Sequence, residues 1–168
     1  MKQPKPQEKQ LPKAKQEPTR EVFKMVFVGK PGTGKTTVLR KILKSALKEK
    51  RRALIVTPHE NEWEDIPMVN PRFSERIRTY KGARRLICHG EKEILENIKA
   101  NFVNGFLIFD DCKAYIRPGD RNYMEQFLLA LRQKDVDFAC CGHGFTTIPP
   151  VFYTFATEFF IFATTDNP

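Results

Sequence analysis

From Val22 to Val28 the chain is apolar, β-branched and aromatic apart from Lys24, the pattern of a buried strand. A glycine-rich loop follows. Val38, Leu39, Ile42, Leu43, Ala46 and Leu47 then recur at helical spacing, with Arg40, Lys41, Lys44 and Lys48 on the opposite face. Ala53 to Thr57 reads as a second strand ending at Pro58, and a polar, irregular stretch continues through Trp63 to Pro71. Arg84 to His89 predicts a third strand, and Glu91 to Val103 a helix with Ile94, Leu95, Ile98 and Phe102 on one side. Phe106 to Phe109 is a strand that delivers Asp110 and Asp111 at its C-terminal end. Arg121 to Lys134 predicts a helix with Met124, Phe127, Leu128 and Leu131 turned inward. Val136 to Cys141 and Phe159 to Ala163 predict the last strands. Continuous apolar strands alternating with amphipathic helices define an α/β fold, a mostly parallel sheet with helices on both faces. The strand order is not legible at this level.

Composition adds organisation. The 168 residues suit one domain, and 40% hydrophobic content suffices for a core. Residues 1–20 are set apart: they carry Lys2, Lys5, Lys9, Lys13, Lys15 and Arg20 among Pro4, Pro6, Pro12 and Pro18, with almost nothing to bury. This reads as a disordered basic tail, either a solubilising leader or a segment that touches nucleic acid or a partner, ahead of a domain spanning 21–168. A net charge of +9 and a pI near 9.5 favour polyanionic partners. Cys88, Cys112, Cys140 and Cys141 lack the spacing of a zinc or redox motif, which points to buried thiols in a reduced setting. No stretch approaches the eighteen or so apolar residues of a membrane span, and no signal-peptide core opens the chain, so a cytoplasmic place is expected, with association to a virion or a membrane complex also open.

The chemistry concentrates in Gly29-Lys30-Pro31-Gly32-Thr33-Gly34-Lys35-Thr36, with Thr37 next. This matches the P-loop pattern, and it lies between a strand and a helix, the setting that separates a working loop from a chance match. Glycines let the backbone N–H groups curl towards phosphate oxygens, and the helix N-terminus adds its positive dipole end. Lys35 is expected on the β- and γ-phosphates, and the Thr36 hydroxyl on Mg²⁺. A hard cation calls for a carboxylate as well, which Asp110 is placed to supply, while Asp111 could polarise the attacking water. A turn cap is the plainer role for the two acids.

Other positions carry less. His143 follows the strand Val136–Cys141 at the sheet end where open α/β folds bind ligands, and either senses the γ-phosphate or is a turn residue. Arg132, on the preceding helix, is either a solvated surface arginine or an arginine finger for a neighbouring subunit. His59, Glu60 and Glu62 share that sheet end, but no second cluster completes a metal site. Arg72, Arg76, Arg78, Lys81, Arg84 and Arg85 form the densest basic stretch, a DNA-binding patch or a merely solvated face.

Beyond the loop and Leu107-Ile108-Phe109-Asp110-Asp111, the C-terminal third carries Leu131-Arg132-Gln133-Lys134, Val136 to Cys141, Gly142-His143 and Ile148-Pro149. Together these resemble the HerA/FtsK superfamily of DNA-pumping ATPases, which includes viral packaging ATPases, Zot-like phage proteins and conjugation coupling proteins. The resemblance covers roughly residues 22 to 165. It implies an Mg²⁺-dependent ATPase built as a homo-oligomeric ring, with double-stranded DNA in the channel, Arg132 completing a neighbour's site and His143 as the polar sensor. Asp111 stands where that superfamily usually has Glu, and Thr57 where an Asp is common. Two other enzyme classes share such a loop. A small-molecule or nucleotide kinase would add an acceptor motif, which is not seen, and an AAA+ remodelling ATPase would add a helical lid after the core, whereas this sequence stops at Pro168.

Overall fold

The computed structural model describes residues 21–70, 74–115 and 120–164; the basic segment 1–20 lies outside them. The elements run β1 (Lys24–Val28), α1 (Lys35–Lys48), β2 (Arg52–Thr57), α2 (Ser74–Thr79), β3 (Ala83–Ile87), α3 (Lys92–Asn101), β4 (Gly105–Phe109), α4 (Arg121–Gln133), β5 (Val136–Gly142), α5 (Pro150–Phe155) and β6 (Glu158–Ile161). The strands form one six-stranded sheet in the order β3-β2-β4-β5-β1-β6, and every pairing is parallel. Because β5 lies between β1 and β4, whatever follows β5 emerges between the P-loop and Asp110-Asp111. All C-terminal strand ends therefore bring their loops to one edge, where ligands bind in such sheets.

The two faces of the sheet are covered unequally. On one, Phe27, Ile55, Ile108 and Ala139 pack under Leu39, Leu43 and Ala46 of α1, with Trp63 and Ile66 from the connection after β2. On the other, Val26, Leu54, Phe109 and Phe138 pack under Ile77 of α2, Leu95 and Ile98 of α3, Phe127 and Leu131 of α4, and Phe152 of α5. The strands that read as unbroken apolar runs are the ones buried on both sides: all five residues of β4 and all seven of β5 are buried.

The anticipated strands and long helices are all present, with ends shifted by one to a few residues. Two short helices, α2 and α5, were not anticipated. Pro150 opens α5 at its first position. That position needs no N–H donor, and the fixed φ of proline suits a helix start.

Candidate nucleotide site

The P-loop is shaped by close backbone approach. The Gly29 N–H donates to the Gly142 carbonyl at 3.2 Å and the Lys30 N–H to the Ala163 carbonyl at 2.7 Å, so the strand ends on either side of β1 grip the loop. A side chain at Gly29 would put its Cβ 2.5 Å from the Cβ of Phe162. Gly34, at φ +96°, forms the left-handed corner from which α1 starts. The first turn of α1 carries no acidic residue, which leaves its positive end to an anion. Lys35 is buried, and its ammonium donates to the carbonyls of Gly29 and Lys30, the latter at 2.8 Å. Burial lowers its pKa, against the pull of Asp110 and Asp111 across the cleft.

Pro31, Gly32, Gly34, Lys35, Thr36 and Thr37 face Asp110, Asp111 and His143 across a cleft of about 320 Å³, the size of a small-ligand site. Asp110 is 8% exposed. A buried carboxylate needs donors, and Trp63 Nε1–H supplies one to Oδ2 at 2.7 Å. Asp111 has φ +54°, the left-handed region that costs a non-glycine residue about 1–2 kcal/mol. The conformation turns its side chain into the cleft instead of along the strand, where His59 Nε2 lies 3.7 Å from Oδ2. His143 is exposed at the rim, its N–H bonded to Thr147 Oγ1 at 3.1 Å. Of the residues that the sequence suggested for phosphate and metal, Pro31, Gly32, Gly34 to Thr37 and Asp110 share one cleft, while Gly29, Lys30 and Thr33 are not among its lining; Thr36 and Asp110 offer hard oxygens of the kind that Mg²⁺ takes.

Arg132 does not join them. It is exposed beside Leu129, Asp135, Lys24 and Thr157, at the end of the sheet opposite the cleft. Nor do the basic residues between 72 and 85 make one described surface. Arg72 lies outside the described residues, as does the Arg76 side chain. Arg85 donates to the backbone carbonyls of Glu60 and Glu62, and the Arg84 guanidinium lies over Tyr80 at 5.4 Å. Arg78 and Lys81 instead join Lys50 around a hollow at the N-terminal ends of β2 and β4. All four cysteines are free and buried, and no cluster of three or more metal-ligating side chains occurs among the described residues.

The connection from Pro58 to Val69, which the sequence placed at this sheet end through His59, Glu60 and Glu62 but gave no role, forms a wall of the cleft. It contributes His59 and Glu62 to the lining and Trp63 to Asp110. Desolvation, and next a hydrogen bond with the Asp110 carboxyl, push the Glu62 carboxyl up from its ordinary value. A run of polar residues with a lone tryptophan offers no periodicity, so only the reversal of the chain over α1 reveals it.

The fold and the cleft define a P-loop nucleoside triphosphatase. The chain belongs to the poxvirus A32 protein family, whose model matches residues 13–136. Among solved structures it is similar to the genome-packaging NTPase B204 of Sulfolobus turreted icosahedral virus 2 in complex with AMPPCP, with TM-score 0.72 and 13% identity over 86% of this chain and 77% of that one. The same protein in complex with AMP gives TM-score 0.74 and 14% identity over the same shares. B204 described as the DNA-packaging ATPase of Sulfolobus turreted icosahedral virus gives 0.69 and 15%, over 84% of this chain and 76% of that one. No curated protein matches the chain in sequence. Family and fold together bear out the HerA/FtsK-type resemblance drawn from the motifs.

Proposed function

We propose that the protein is an ATP-driven motor subunit that packages viral DNA, working as a homo-oligomeric ring with nucleotide sites between subunits. The observation that carries this is the single cleft joining Lys35 and Thr36 to Asp110, Asp111 and His143, set in the fold of packaging NTPases. Thr36 and Asp110 would hold Mg²⁺, which would draw charge from the β- and γ-phosphates. Gly32, Thr33, Gly34, Thr36 and Thr37 would cradle the phosphates with backbone N–H groups, while Gly29, Lys30 and Pro31 shape the loop. Lys35 would leave the loop carbonyls to meet the γ-phosphate. Asp111 would orient and deprotonate the attacking water, and His143, on the loop after β5, would register loss of the γ-phosphate. Its place between P-loop and carboxylates follows from the strand order.

The basic hollow bounded by Lys50, Arg78 and Lys81 is the surface best placed to meet the DNA backbone, at the other end of the sheet from the cleft. The test joins both sites. Wild-type protein is expected to hydrolyse ATP in the presence of Mg²⁺ and to be stimulated by duplex DNA. Lys35→Ala is expected to abolish turnover while DNA is still bound. Neutralising Lys50, Arg78 and Lys81 together should lower the slope of log affinity against log salt by up to about 3 while leaving DNA-free hydrolysis intact. Hydrolysis that DNA neither binds to nor stimulates at low salt would overturn the motor reading and favour a kinase. Wild-type turnover in Lys35→Ala would overturn the nucleotide site itself.

A further inference from the structure

Asp110 is held by a partner that no part of the P-loop pattern requires. Trp63, the only tryptophan of the chain, is 3% exposed and donates its indole N–H to Asp110 Oδ2 at 2.7 Å. Its backbone sits at φ +58°, a conformation that a bulky residue adopts only when its surroundings impose it. The Arg40 guanidinium lies over the indole at 4.3 Å and is itself fixed by two bonds to Asp65, at 2.7 and 2.9 Å. The Ile66 N–H donates to the Trp63 carbonyl at 2.9 Å, and Arg85 holds the Glu60 and Glu62 carbonyls on the near side. A residue that only filled space would need neither the N–H nor the left-handed backbone.

We propose that Trp63 is a positioning residue for ATP hydrolysis, its N–H fixing the Asp110 carboxylate so that Mg²⁺ meets a preset ligand. The proposal rests on the reading of the cleft as a hydrolytic nucleotide site. A charge-assisted bond from a buried, immobile donor stops rotation of the carboxylate and removes the need to reorganise it when the metal arrives. Arg40 adds a link to Thr36, the other ligand proposed for Mg²⁺. It follows Thr36 by four residues, one turn along α1, so the helix that carries the hydroxyl also clamps the ring that holds the carboxylate.

Because Trp63 is unique, it can be replaced throughout by 3-benzothienylalanine, which keeps the ring shape and exchanges the N–H for sulfur. The analogue is expected to lose about ten- to a hundredfold in turnover at saturating ATP, and to need several-fold more Mg²⁺ for half-maximal rate. Its affinity for ATP without Mg²⁺ should stay within about twofold of wild type. In the native protein, the emission of the same tryptophan should shift when Mg²⁺ and a non-hydrolysable triphosphate are added together, and not with the triphosphate alone. Trp63→Phe, as a second variant, should reproduce the Mg²⁺ dependence of the analogue. An analogue equal to wild type in turnover and Mg²⁺ requirement, beside an inactive Asp110→Asn, would reduce Trp63 to packing. Full activity in Asp110→Asn would instead sink the hydrolytic reading, whatever the indole does.

Discussion

Asp111 and Trp63 are non-glycine residues in left-handed conformations, one at φ +54° and the other at φ +58°; Asp111 lines the cleft and Trp63 is bonded to Asp110 behind it. Strain of this kind persists where packing over-determines it and gathers at sites that bind or react. Neither conformation is visible in the sequence: Asp-Asp after a strand fits a turn cap equally well, and Trp63 lies in a stretch without period. The P-loop, in contrast, was legible residue by residue, because its chemistry needs backbone N–H groups at fixed spacing. The cysteines were legible as buried thiols. Burial pushes the Cys88 thiol up to about 11 from an ordinary value of 9.0. The sign follows from proton binding: between pH 9 and 11 the folded thiol keeps a proton that the unfolded one releases. Its contribution to stability is therefore complete below pH 9 and disappears as pH rises through about 11. Wild type should lose stability faster than Cys88→Ala across that window, by up to about 1.4 kcal/mol per pH unit, in urea titrations at each pH. Parallel curves would mean the thiol ionises as freely folded as unfolded.

Element by element, the periodic segments were found and the short ones missed. β4 and β5 are buried along their whole length, so their apolar runs are unbroken, while α1 and α4 bury one stripe each and show it. Helices α2 and α5 have six residues apiece, too few to display a period. Strand order is a matter of long-range pairing, and nothing local encodes it. A polar pair at the N-terminal ends of the strands bridges β2, β4 and β5. Arg51, just before β2, is bonded to Asp137 on β5, and its other nitrogen donates to the Gly105 carbonyl of β4 at 2.7 Å. Asp137 also accepts from the Phe23 N–H at 3.0 Å. With side chains only 11% and 7% exposed, the two charges depend on each other. Asp137→Asn keeps an acceptor for Phe23 but strands the guanidinium, which should cost about 3 kcal/mol in urea unfolding at unchanged m. A loss below about 1 kcal/mol would class the pair with surface ion pairs.

At the scale of the molecule, the question is what completes the cleft. Among the described residues no arginine lines it; Pro31, Gly32, Gly34 to Thr37, His59, Glu62, Asp110, Asp111 and Cys141 to His143 do. Arg132 lies in the last turn of α4, just before β5, and the cleft begins where β5 ends. Seven strand residues at about 3.3 Å each put roughly 20 Å between them, so the guanidinium cannot reach its own site. It is exposed next to Lys24, whose pKa is lowered by burial and then by Arg132 itself, so a second cation is held there against repulsion. In a ring whose subunits pack sheet end against sheet end, that surface would meet the cleft of the next copy. Arginine fingers contribute about 10³ to 10⁵ in rate where they operate. Arg132→Ala should accordingly fold and bind ATP like wild type and lose nearly all turnover. Mixing it with Lys35→Ala should restore part of the activity, because some interfaces then pair an intact P-loop with an intact arginine. Restoration should follow the statistical share of such interfaces as the mixing ratio is varied. A mixture that assembles and stays inactive would show that the arginine is not supplied in trans. A fully active Arg132→Ala would leave the residue as surface charge and remove the support for sites between subunits.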